Sequence, residues 1–299
     1  MNQIRNRMAN AAVPMAAALC LAAAATVSAA VGTPTAPPER ANADGAPQSP
    51  AVLATTGDPD DPATWRLPIE AYMPTTAQAR ITTSTRDDLL DTCMAGAGYP
   101  DWRPAPDLPP IGGKTLTDWR YGIHDAALAA ERGYHPDAQE QKEYDAAIEI
   151  GAVDSSGADE ATMKRCVSQV DSEVPATASA ELVQQISGQS FLQSQNEPDV
   201  VDVFADWSSC MEGKGFDYAE PMDANDDPAF ADPNIVTDKE IATAKADIEC
   251  RDKYQVERTW FDAEAKLQQA AITVHQEELD QVVANTENAV SKASDMARQ

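Results

Sequence analysis

The chain has 299 residues, with 49 acidic against 22 basic side chains and a formal charge of −27 at pH 7. A surface this acidic repels nucleic-acid phosphates and anionic lipid headgroups, so neither is expected as a partner. Aromatic residues are sparse, while Ala, Glu, Gln and Asp abound, a balance that favours helices over sheets.

Residues 1–30 carry Arg5 and Arg7, then an uncharged, alanine-rich run from Ala11, and no acidic residue. A positive start, an apolar run and small residues around Val27, Ser28, Ala29 and Ala30 are the parts of a secretory signal peptide. Cys20 lies inside the apolar run and follows Leu19, where lipidation favours a small residue. No second apolar run of spanning length follows. The sequence therefore predicts an extracytoplasmic protein of the secreted or envelope class, with no stable membrane span once the signal is cleaved.

Residues 31–80 are expected to form a Pro/Ala-rich linker, because prolines crowd its first half and large apolar groups are too few to offset ordering entropy. Helical spacing begins at Ser84 or Thr85, with Leu89, Leu90, Cys93 and Met94 on one face, and glycines end it. Further helices are predicted over 125–132, 138–150, 159–172 and 180–193. Pro198 opens another, whose stripe of Val200, Val203, Phe204, Trp207 and Met211 reads as core.

From Asn234 to the end there is neither glycine nor proline, and Thr237 with Glu240 forms a capping-box pattern. Trp260, Ala263, Leu267, Ala270 and Val274 follow the spacing of a coiled-coil seam, which Leu279, Val282, Thr286, Ala289 and Val290 resume after a shift. A single helix over 237–296 would span about 90 Å at roughly 1.5 Å per residue, so its last turns must either project or fold back.

One signature occurs twice: Cys-Met-x-x-x-Gly-aromatic, at Cys93, Gly98 and Tyr99, and again at Cys210, Gly215 and Phe216. Each copy is followed by a proline at the same offset, Pro104 and Pro221, and later by one further cysteine, Cys166 and Cys250. Four cysteines allow three pairings, and the duplication selects Cys93–Cys166 and Cys210–Cys250. Two disulfide-stapled helical units in tandem are expected, over 81–195 and 196–299, the second carrying the long C-terminal helix. The cysteines are too widely spaced for a structural zinc site.

No catalytic residue, metal-ligand set or cofactor motif emerges. The histidines are His124, His135 and His275. The first two share an insert with Tyr121, Asp125 and Asp137, the one place where an acid–base constellation is conceivable. Gly112, Gly113, Lys114 and Thr115 imitate the end of a phosphate loop whose first glycine is replaced by Leu108. The stretch from Asp223 to Asp227 resembles the start of a calcium loop, but Pro228 and Asn234 stand where glycine and glutamate are needed.

The two signatures, the Arg120-Tyr121-Gly122 stretch, Gly133-Tyr134-His135, and the Cys250 helix running to Trp260 together resemble a group of secreted or lipid-anchored bacterial envelope proteins of unknown function. The resemblance covers most of 85–275, implies an envelope location and paired cysteines, and supplies no catalytic residues. The sequence thus predicts a mainly α, exported, non-enzymatic envelope accessory or binding protein whose partner is an envelope protein or a wall polymer. A secreted hydrolase working through carboxylates or the His124/His135 region is the alternative, and a calcium-dependent adhesion module a third reading.

Overall fold

A computed structural model describes residues 53–151, 156–177 and 180–298. The expected signal peptide and the first part of the expected linker lie outside them. The described chain is mainly helical: α1 Thr76–Gly96, α2 Ala126–Arg132, α3 Ala138–Gly151, α4 Glu160–Glu173, α5 Glu181–Ser194, α6 Pro198–Gly213, α7 Pro221–Asn225, α8 Asp238–Tyr254, α9 Val256–Val274 and α10 Gln276–Met296. Among the described residues, no helix is long and apolar enough to cross a membrane.

Polar caps fix where these helices begin. Asp125, Asp159 and Thr237 each accept backbone N–H groups from the first turns of α2, α4 and α8. α1 starts eight residues before the predicted Ser84 because Thr75 and Gln78 form a reciprocal capping box. The threonines that hid this helix from its apolar pattern, Thr82 and Thr85, return their hydroxyls to carbonyls one turn back. Both signatures end a helix in the same way. Gly98 and Gly215 take positive φ, and the N–H groups of Tyr99 and Phe216 donate to the carbonyls of Met94 and Met211.

The C-terminal run is three helices rather than one. Gln255, with φ 55° and ψ 39°, breaks it between α8 and α9, and His275 breaks it again before α10. α10 then folds back along α1, burying Leu279, Ala289 and Ala293, with the Thr85 hydroxyl donating to the Ala293 carbonyl at 3.4 Å. The predicted face of α10 is the buried one. The predicted seam of α9 is not, since Val274 is 79% exposed while Glu264, Ala265, Gln268 and Ile272 face inward beside Trp260.

Trp260 is the centre of the core, stacked on Phe191 at 5.0 Å, edge-on to Phe204 at 5.0 Å, and 5.3 Å from Tyr121. α5 and α6 pack on α9, and α6 and α2 on α8, so the expected boundary at 195/196 does not divide two cores. Residues 50–299 form one compact body. The expected linker to residue 80 is corrected too: Trp65, Leu67, Ile69 and Tyr72 are buried in that core, within or directly beside two 3-10 turns, Pro62–Thr64 and Pro68–Tyr72. Its prolines open those turns, where their lost N–H groups and fixed φ are useful.

The disulfides join Cys93 to Cys166, with Cα atoms 5.7 Å apart, and Cys210 to Cys250, 5.9 Å apart. The second lies in the main core and ties α6 to α8. The first ties α1 to α4 in a satellite cluster with Met94 and Trp102. Arg86 reinforces that pair by reaching the Val174 carbonyl and the Asp171 carboxylate, the latter at 2.6 Å.

Candidate functional site

α8 buries two charges on one stripe. Asp247 and Arg251, a helical turn apart, form a two-pronged pair: Nε to Oδ1 at 2.6 Å and Nη2 to Oδ2 at 3.0 Å. Both are essentially inaccessible to solvent. The Asp247 carboxylate also accepts from Trp207 Nε1 at 2.8 Å and from the Tyr134 hydroxyl at 3.1 Å. Burial, with the Asp247 charge adding to it, raises the Tyr134 phenol far above its ordinary range. Arg251 Nη2 donates additionally to the Pro221 carbonyl, whereas Nη1 has no hydrogen-bond partner among the described residues. A buried donor left without a partner costs about 1–3 kcal/mol, so this nitrogen marks a departure from a core optimised for stability.

Gly122 makes room for it. Its φ is +117°, and a Cβ there would lie 1.8 Å from Arg251 Nη1. Arg251 also forms part of the wall of a cavity of about 270 Å³, shared with Asp60, Trp65, His124, Glu257 and Arg258. Asp252 and Gln255 complete this side, so the break between α8 and α9 lies at the cavity. Gln255 is the one non-glycine residue with positive φ among the described residues, and left-handed backbone at such a residue costs roughly 1–2 kcal/mol.

The charges around the cavity are unevenly matched. Glu257 is half-buried by surface, but its carboxyl is enclosed by protein; burial pushes its pKa up to about 8, with Asp247 and Asp252 adding to the rise and Arg251 opposing it. It is therefore largely a neutral donor at pH 7. Asp252 is shifted upward as well, first by burial and then by the charge of Asp60. Arg258 donates to Asp262 at 3.0 Å, and its guanidinium lies 5.8 Å from the Trp65 ring centre. His124 places Nε2 2.7 Å from Asp118 Oδ1, and Asp118 Oδ2 accepts from the Lys114 N–H at 2.6 Å. His124 and Asp60 also border a second, larger cavity of about 650 Å³, between Lys114, Asp118 and Glu140. No serine, threonine or cysteine is among the residues lining either cavity.

The sequence-level candidates divide: His124, Asp125 and Asp137 line the larger cavity together, whereas His135 and Tyr121 lie elsewhere. His135 is buried against the first turn of α8, its Nε2 3.3 Å from Glu240 Oε1 without the alignment of a hydrogen bond, and it lines no cavity with His124. Glu240 does not close the expected capping box. It accepts the Tyr134 N–H at 3.0 Å instead, beneath Gly133, whose missing side chain admits it. Tyr121 donates to Glu264 at 2.8 Å, in a buried network with Arg120 and Gln268. Asp125 and Asp137 cap helices. His275 pairs with Glu278 at 2.7 Å. In the acidic turn, Asp223 accepts from the Glu220 N–H, and Asp227 from the Ala229 N–H and the Tyr218 hydroxyl. Among the described residues, no group of three or more potential ligands is arranged to hold a metal ion. Gly112 turns tightly over Trp119, and Lys114 pairs with Glu140, so the phosphate-loop mimic is a structural turn.

Arg251, Glu257, Gln255 and Asp60 were not singled out by sequence. One signal was present: Asp247 and Arg251 interrupt the apolar stripe of Ala244 and Ile248 with a charged pair spaced for contact. The chain matches no protein-family model, no curated protein and no solved structure.

Proposed function

We propose that this chain is an exported, non-enzymatic binding protein of the cell envelope that takes up a small polar ligand in the Arg251 cavity. The observation that carries the reading is the unpartnered Nη1 of a fully buried arginine in a cavity wall. The nitrogen itself is sealed from solvent, so an acidic ligand group would first have to displace the wall around it. The strained Gln255 on the same wall supports the reading, since strain that stability does not explain collects at binding sites. Two disulfides are consistent with an extracytoplasmic protein, and the envelope placement rests on the signal-like first thirty residues. At about 270 Å³ the cavity lies just below the roughly 300–1,000 Å³ typical of drug-sized ligands, so a wall polymer would engage it only through a terminal group.

Calorimetric titration of the full chain with a broad panel of small acids, amino acids and sugars tests the reading. Binding of one class without turnover, weakened by Arg258→Gln, is the expected result. A panel with no binder would remove the cavity from consideration.

The His124–Asp118 pair, at 2.7 Å between the two cavities, favours a second reading as a secreted hydrolase in which His124 activates water. Turnover of a wall or extracellular substrate that is abolished by His124→Gln would establish it over the binding role.

A further inference from the structure

We infer that the groove between α5 and α9 is a second binding site, and that its ligand is an uncharged sugar of an envelope glycan. It adds to the binding role proposed above without resting on the Arg251 cavity, with which the groove shares no lining residue.

The α5 side of the groove is a row of amides. Gln185, Gln189 and Gln193 stand about one helical turn apart and are exposed, and their side chains form no hydrogen bond among the described residues. The row spans about 12 Å at roughly 1.5 Å per residue, the scale of a short oligosaccharide. Ser190 lies deeper in the wall, 4% exposed, and its hydroxyl likewise has no hydrogen-bond partner among the described residues. Unlike Arg251 Nη1, that oxygen is not sealed from solvent, so it is offered to whatever enters the groove. Leu182, Ile186, Leu267 and Ala271 supply the apolar part of the wall.

Charge sets the class of ligand. Residues 182–196 carry no ionisable side chain, in a chain of formal charge −27. His275 is the one titratable group lining the groove, and Glu278 engages it at 2.7 Å. An anionic ligand is repelled by the molecule as a whole, and a cationic one finds no carboxylate in the groove. A sugar hydroxyl both donates and accepts, as a glutamine amide does, and the C–H faces of its ring suit an aliphatic wall. Protein partners are anchored by buried tryptophan, tyrosine and arginine side chains paired across an interface, and none of these lines the groove. An uncharged glycan meets all of these conditions.

The test is calorimetric titration of the full chain with triacetylchitotriose, maltotriose and mannotriose, beside two charged trisaccharides, the cationic chitotriose and the anionic trigalacturonate. At least one neutral trisaccharide should bind. The double variant Gln185→Ala with Gln189→Ala should weaken it about tenfold, since two hydrogen bonds are lost at exposed helix positions that alanine fills without harm to the fold. Arg258→Gln should leave that binding unchanged, which separates the groove from the Arg251 cavity. Failure of all three neutral sugars, undiminished binding by the double variant, or tighter binding of a charged trisaccharide would each overturn the inference. Sedimentation velocity of the full chain checks the rival occupant: a dimer that the double variant dissociates would give the groove to a second copy of this chain and overturn the glycan.

Discussion

Gly122 and Arg251 occupy space that only one side chain can fill: the glycine Cα faces the guanidinium, and a single added carbon would lie 1.8 Å from Nη1. The glycine φ of +117° is a second obstacle to any other residue.

Gly122→Ala should therefore displace Arg251 and leave Asp247 charged and unpaired in the core. Breaking a buried pair in this way typically costs about 3–5 kcal/mol, and urea denaturation should show a loss of that size or no folded protein. Gly188→Ala is the control. Gly188 sits within α5 with open space where the Cβ would go, so helix propensity should make that variant more stable by up to about 1 kcal/mol.

Glu257 sets an unusual pH dependence. Its folded pKa is raised to about 8 from an ordinary 4.5, so between those values the folded state holds a proton that the unfolded state has released. Stability from this group is greatest at low pH and declines as pH climbs toward 8, by at most about 1.4 kcal/mol per pH unit. Solvent reaching the cavity reduces that slope. Glu257→Gln should flatten it, and thermal melts between pH 5 and 8.5 should show the variant gaining on the parent as pH rises.

Gln255→Gly relieves left-handed backbone where α8 meets α9. The variant should be about 1 kcal/mol more stable in chemical denaturation. If Gln255 also shapes the cavity, the same substitution will weaken ligand binding, the exchange of stability for function expected of a strained site.

Removing residues 276–299 should be strongly destabilising, because α10 packs along α1, buries Ala289 and Ala293, and places Leu279 in the main core. At roughly 1.5–3 kcal/mol for a fully buried leucine-sized side chain, loss of Leu279 alone would be measurable. A truncated protein that melts with the parent would show that α10 contributes little to the core.

The helices were legible in the sequence wherever caps and apolar spacing agreed. Residues 180–193 and Pro198 onward fell within a residue of their observed bounds because Val183, Ile186, Val200, Phe204 and Trp207 face inward as their spacing implies. The pattern misled where the core accepts polar groups. The inward face of α9 passes through Glu264 and Gln268, which a hydrophobic reading assigns to solvent. Besides the bond from Gln268 to Glu264, the partners that make their burial tolerable are Arg120, Tyr121 and the Ile69 N–H, all remote in sequence. The candidate site was hidden for the same reason. Its members come from the 58–65 segment, the loop after Trp119 and the α8–α9 junction, and no local spacing links them. Tyr72 and Trp65 were lost in a proline-rich stretch whose composition resembles a linker but which buries Trp65, Leu67, Ile69 and Tyr72.

The placement of α8 and α9 at the centre of the fold has a consequence for how the molecule is assembled. These helices are among the last parts of the chain to be synthesised, yet α2, α5 and α6 all rest on them. Until they arrive, the earlier helices have no common core, so the main body cannot complete its folding segment by segment as it emerges. The two disulfides suit that order. Each joins cysteines that are neighbours along the described chain, and the α1–α4 bond can close while the rest is still loose. By the time Cys250 meets Cys210, only the correct partner remains unoxidised.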